Sequence, residues 1–252
     1  MKPLTKLNRL RLLSLIAMIS AMLSTACPRD RKVDFEPELN VFCTVNPYGA
    51  KFWGHIIIDR TYAIDEEVVY DLEDALVVIS DSVRSETLIY VYDNQFCLPQ
   101  QITCGPTQTL WLMVAAEGLD TLWGETVVPS DFRVLSPAPG DTFGPEDTLV
   151  FTKSPGAEMY GICWDYTPGS TAFYFPDYLP DSVAEFPISW LISDDYPPQE
   201  GYCHFEIAAY DSNYAEYKMH WETNTYPRYG VTGGLGVFGS AYTKIVAFYY
   251  RP

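Results

Sequence analysis

Runs in which apolar residues alternate with polar ones recur along the chain from Leu39 to Tyr250, with turn residues between them. In Leu39–Val45 the apolar positions Leu39, Val41, Cys43 and Val45 share one side, and later Cys203, Phe205, Ile207 and Ala209 alternate with His204 and Glu206. A period of two is that of a half-buried strand. The same pattern predicts strands at 51–59, 75–80, 87–92, 110–116 and 121–128, then at 148–152, 159–166, 172–175, 185–192, 202–210, 217–222 and 243–250. β-Branched and aromatic residues dominate these runs. Residues 81–85 and 117–120 read as hairpin connections. After residue 26, no window of helical length shows an apolar stripe at the helical period. The expected fold is all-β, with one or two immunoglobulin-like or transthyretin-like β-sandwich modules. A first sandwich is expected over residues 39–130 and a second, immunoglobulin-like domain with a C-terminal glycine-rich loop and strand over 131–252. The boundary is placed near 129–132, because Val134 followed by Pro137 and Pro139 reads as a proline-broken entry strand.

The first 26 residues follow another pattern. Lys2, Lys6, Arg9 and Arg11 precede an apolar run from Leu12 to Ser24, with no acidic residue before Asp30. That run falls short of the about 20 residues a bilayer span needs. A basic start, a short apolar core and the small residues Ser24, Thr25 and Ala26 describe an export signal. Leu23 to Cys27 resembles a bacterial lipobox, with the leucine one place further from the cysteine than usual. That resemblance implies lipidation of Cys27 with palmitate-type chains, where an ordinary cleaved signal would leave a spare thiol. Residues 27–38 then read as a polar tether, and the expected location is the cell envelope, lipid-anchored, at the outer membrane.

Charge narrows the partners. Removing residues 1–26 takes those four basic residues from 16 and none of the 33 acidic ones, leaving a net charge of about −21. Such a chain repels phosphate backbones, which argues against nucleic acid. With 48% hydrophobic and only 19% charged residues it still has the apolar content of a folded protein. Export permits disulfides. Cys97 and Cys104 flank a short loop and form the first candidate pair, Cys163 and Cys203 the second. Cys43 reads as a small buried hydrophobe.

Chemistry-bearing motifs are few. Gly234, Gly236 and Gly239 have the spacing of a dinucleotide-binding fingerprint, which works only between a strand and a helix. Here a strand of aromatic and β-branched residues follows, so the segment reads as a close-packed loop inserting Val237 and Phe238 into the core. His55, His204 and His220 have no ligand-spaced partners, and no metal is expected. Acidic loops around Asp59, Asp65, Glu66 and Glu67, at Asp71 and Asp74, and at Asp194 and Asp195 read as solvated, with calcium the alternative. No Gly-x-Ser-x-Gly elbow is present, and no catalytic residue or cofactor is expected. Phe173, Tyr174 and Trp190 stand out as aromatics that could face a ligand, against a plain reading as cross-strand packing.

Three segments carry a resemblance: Cys27 with the acidic lead to Pro37–Phe42, residues 110–118 through 124–129, and the glycine-rich 233–239. Together they resemble an uncharacterised family of envelope lipoproteins common in the Bacteroidota. The resemblance implies an outer-membrane context beside TonB-dependent receptors and brings no catalytic residue. The expected function is a non-catalytic accessory or binding role in the envelope toward a protein, peptide or glycan. A sugar-capturing or carbohydrate-active surface lipoprotein is the alternative.

Overall fold

Alternation becomes structure from the first strand: β1 (Leu39–Val45) buries Leu39, Val41 and Cys43 and turns Asn40 and Phe42 outward. The computed structural model describes residues 35–46, 55–63, 66–69, 72–98, 105–164, 171–174, 183–192, 198–220 and 227–252, with only the backbone of 55 and 171–174. After β1 come β2 (His55–Arg60), β3 (Leu76–Ser80), β4 (Ser85–Thr87), β5 (Ile89–Tyr92), β6 (Gln95–Cys97), β7 (Thr109–Ala115) and β8 (Leu122–Val127). Next are β9 (Val134–Ser136), β10 (Thr142–Phe143), β11 (Thr148–Thr152), β12 (Met159–Trp164), β13 (Thr171–Tyr174) and β14 (Val183–Pro187). The remainder is β15 (Gly201–Tyr210), helix α1 (Ser212–His220), β16 (Arg228–Tyr229), β17 (Val231–Thr232) and β18 (Gly234–Tyr250).

A ten-stranded sheet runs β13-β12-β15-β18-β1-β2-β6-β5, with β10 and β16 also on β18; beside it stand a three-stranded sheet β14-β11-β9 and a five-stranded sheet β17-β8-β7-β3-β4. The molecule is therefore an all-β, sandwich-like stack of sheets. Each small sheet covers part of the large one. Leu110, Leu112 and Val77 of the five-stranded sheet share a core with Val41, Ile58 and Phe96. Leu149, Phe151 and Phe186 of the three-stranded sheet share a second core with Ile162, Phe205 and Phe248. On the other face of the large sheet, Tyr214 and Ala215 of α1 pack with Tyr210, Met159 and Val237.

The 17-residue strand β18 joins both cores. Its first half pairs parallel with β1, Leu39 opposite Gly234 through Val45 opposite Ser240. Its second half pairs antiparallel with β15, from Ala241 opposite Tyr210 to Tyr250 opposite Gly201. A division into 39–130 and 131–252 therefore does not describe the hydrogen bonding: Pro37–Pro252 forms one compact unit, and Phe238 and Val231 complete the core of the earlier residues.

Most predicted strands sit where alternation places them, Leu39–Val45 and Thr148–Thr152 residue for residue. Both predicted hairpins are present. Asp81 Oδ1 accepts the N–H groups of Val83 and Arg84 at 2.6 Å in the β3–β4 turn, and Gly118 takes φ +75° between β7 and β8. Four expected elements change. The strand expected at 87–92 is two, β4 ending at Thr87 in the five-stranded sheet and β5 starting at Ile89 in the ten-stranded one. The strand expected at 217–222 is instead α1, described to His220. The strand expected at 185–192 stops at Pro187, where a 3-10 turn, Ile188–Leu191, takes over. The glycine-rich loop is strand: Gly236 sits at φ +108°, where a Cβ would be driven into the Val41 carbonyl oxygen, so glycine lets β1 approach. Val237 and Phe238 are fully buried, as expected.

The Cys163–Cys203 pairing does not hold. Cys163 stands opposite Glu206 while Phe205 stands opposite Trp164, so alternation puts Cys163 and Cys203 on opposite faces of the sheet. Cys97 carries a free thiol, and its candidate partner Cys104 lies outside the described residues, as does Cys27.

Candidate binding face and cleft

The β7–β8 hairpin turns one face inward and one outward. Leu110, Leu112 and Val114 of β7 and Leu122, Gly124 and Thr126 of β8 are buried. The alternate positions carry Trp111, 38% exposed, and Trp123, 54% exposed, with Val127 and Leu76 also open to solvent. Gly124 allows the inward side to close, since a Cβ there would meet the Phe238 ring at 2.8 Å.

Register fixes the layout of this outer face. One row reads Glu125, Trp111, Ser80, Ser85 across β8, β7, β3 and β4. The next reads Thr232, Trp123, Met113, Val78, Thr87, with β17 included. The two indoles are diagonal neighbours on adjacent strands, a separation of about 7–8 Å between Cα atoms. Trp111 Nε1 donates to Glu125 Oε2 at 3.3 Å, tying the indole to the carboxylate opposite it.

Beyond the start of β17, the edge of β8 opens into a cleft of about 430 Å³, lined among others by Thr107, Glu125, Val127, Gly156, Asp211 and Asn213. Glu125 N–H donates to Gly230 O at 2.9 Å on the β17 side. Alternation directs the main-chain groups of Val127 to that same side, beyond Val231, the first β17 residue. The start of α1 closes the cleft: Asn213 Nδ2 donates to the carbonyls of Glu125 at 2.9 Å and Phe238 at 3.0 Å. Thr107 holds φ +65° at the rim, a conformation that is an outlier for a β-branched residue.

Beneath the cleft lies a buried polar chain. Asp211 caps α1, its Oδ1 accepting Tyr214 N–H at 3.1 Å. Its Oδ2 accepts the Thr126 hydroxyl at 2.5 Å, and Thr126 Oγ1 lies 2.8 Å from Ser240 Oγ. Burial pushes the Asp211 carboxyl up to about 6, against the pull of the Thr126 and Tyr214 hydrogen bonds, with Glu158 adding a smaller upward push. Ser240 is fully buried, so its hydroxyl is walled off from any substrate. The chain ties helix, β8 and β18 together.

The aromatics singled out from sequence lie elsewhere. β13, which carries Phe173 and Tyr174, runs beside the turn that carries Trp190. Trp190 is 66% exposed and packs edge-on against Phe186 at 5.3 Å. Sequence reasoning passed over Trp111 and Trp123, although strict alternation in both strands already points them outward. His204 lies on β15 and His220 at the end of α1. Of the acidic loops, Asp59 accepts from Tyr62, Asn94 and Arg60, and Glu66 pairs with Arg60 at 2.8 Å. Asp65, Asp71, Asp194 and Asp195 lie outside the described residues. Among the described residues no three His, Cys, Asp or Glu side chains are placed to hold a metal ion, and no helix is long and apolar enough to cross a membrane.

Fold and face together define a layered all-β protein with an open, indole-bearing sheet surface. A scan against protein-family models finds no match, and a search of curated proteins finds none. Among solved structures, the chain is similar to the crystal structure of DIP-gamma IG1+IG2 at 8% identity, covering 86% of this chain and 100% of that one, with a TM-score of 0.21.

Proposed function

We propose that this is a lipid-anchored, non-catalytic binding protein of the cell envelope, held at the outer membrane through Cys27 and meeting its partner with the outer face of the five-stranded sheet. The observation that carries the binding role is the pair of indoles, Trp111 and Trp123, left open on one sheet face whose other side follows the core pattern. Exposed Trp residues are costly to leave in water and are enriched where surfaces recognise partners. The anchor reading is supported by the basic, apolar and small-residue segments that lead to Cys27. The segments that resemble Bacteroidota lipoproteins add a TonB-dependent receptor as a neighbour in the same membrane.

Metabolic labelling with a palmitate analogue tests the anchor. The wild type takes up label and fractionates with membranes, while Cys27→Ser takes up none and is released. An unlabelled wild type recovered among cytoplasmic contents refutes the reading. Turnover of any bound molecule refutes its non-catalytic part.

A further inference from the structure

The open sheet face has a composition that selects among ligands. We propose that the Trp111–Trp123 face, together with the cleft at the free edge of β8, binds a neutral glycan. This deepens the binding role proposed above and rests on it.

Each indole has polar company in register. Trp111 lies between Glu125 and Ser80, and Trp123 between Thr232 and Met113, with Thr109 beside Val127 in the next row. A sugar ring has an apolar C–H face and a rim of hydroxyls. It therefore suits a flat aromatic surface edged by hydroxyl and carboxylate groups. Protein-binding hot spots have the opposite bias, rich in Arg and Tyr beside Trp and depleted in Ser, Thr and Glu. No strand position of this face is Lys or Arg, and the chain as a whole is strongly acidic. At these strand positions phosphates, sulfated or uronic polymers and anionic headgroups find no cation to pair with.

The cleft continues the face, sharing Glu125 and Val127 with it. Its volume of about 430 Å³ falls among ordinary small-molecule sites. It is lined by Val127 with its main-chain groups and by Thr107, Ser212 and Glu125, a polar wall without a positive charge. Thr107 is held at φ +65° at this rim, and backbone strain gathers where a ligand is clamped. Sheet strands fix the indoles at constant spacing, as a repeating polymer requires.

The test uses the full chain in detergent and neutral hexasaccharides as probes: β-1,4- and β-1,3-glucose, α-1,4-glucose, β-1,4-xylose and β-1,4-mannose. Binding is followed by calorimetry and tryptophan fluorescence. At least one probe is expected to bind, with Trp111→Ala and Trp123→Ala each weakening it about tenfold or more, Trp123→Tyr retaining part of it, and Trp190→Ala unchanged. Circular dichroism of each variant confirms that the fold persists. Absence of binding to every probe, or binding indifferent to both indoles, overturns the proposal. A photocrosslinker at position 123 that captures a protein in intact cells, with no glycan bound, overturns the glycan while leaving the binding role standing. Loss of palmitate labelling at Cys27 instead refutes the anchor and leaves the glycan site untouched.

Discussion

Replacing Asp211 by Asn isolates the cost of burying one carboxyl under α1. In the folded chain its pKa is raised from 3.8 to about 6, so between about pH 4 and 6 the native state holds a proton that the unfolded state has released. Stability linked to Asp211 is therefore fully present below about pH 4 and falls as the pH rises through 6. The amplitude is about 3 kcal/mol. Asn keeps its one oxygen for Tyr214 N–H, turns its Nδ2 to donate to Thr126 Oγ1 while the Thr126 hydroxyl donates to Ser240 Oγ, and caps helices as well as Asp does, but it cannot ionise. Urea unfolding of wild type and Asp211→Asn, run in steps from about pH 4 to 7.5, gives the difference directly. Exposed carboxylates with lowered pKa, Glu66 held by Arg60 and Asp81 held by the Val83 and Arg84 amides, contribute equally to both proteins and cancel. The wild type should lose stability relative to the variant across the window. A difference that stays flat, or that favours the wild type more as pH rises, refutes the account of Asp211 as a carboxyl destabilised by burial.

Two further outcomes follow from the packing. Gly236→Ala should lower the unfolding free energy by at least about 3 kcal/mol, because it combines a positive φ with a clash against the β1 carbonyl; a urea midpoint within error of wild type would contradict the close approach. Cys43 is buried and its thiol is pushed well above the usual range by burial, so a thiol reagent should leave it unmodified in the native protein and label it only on unfolding. Labelling of Cys43 under native conditions would contradict its place in the core.

Strands were legible because each buries one side, and the side-chain period of two survives in Leu39–Val45 and in the β7–β8 hairpin. Helix α1 was not. Its residues Ser212 to His220 bury only Tyr214 and Ala215, too thin a stripe for periodicity, while Tyr217 suggests a strand. The usable signal was Asp211 as a cap ahead of Ser212 and Asn213. The glycine segment reads as loop by propensity, and only the proximity of β1, far away in sequence, makes glycine the residue that a strand needs there. That same distance hid the shared sheet behind an apparent boundary near residue 130. The indole face was half-written in the alternation of β7 and β8, but which faces stay uncovered depends on where the other sheets stack.

The pairing of Leu39 with Gly234 sets a timetable for folding. β1 is made early, yet its parallel neighbour leaves the ribosome roughly 195 residues later, about 10–40 s at ordinary synthesis rates. Through that interval β1 has β2 on one side and no strand on the other, and sheets closed by such distant segments form slowly. A chain built this way leaves the main-chain groups along one edge of β1 without their final partner until synthesis is almost done, and such an edge is a template for wrong pairing.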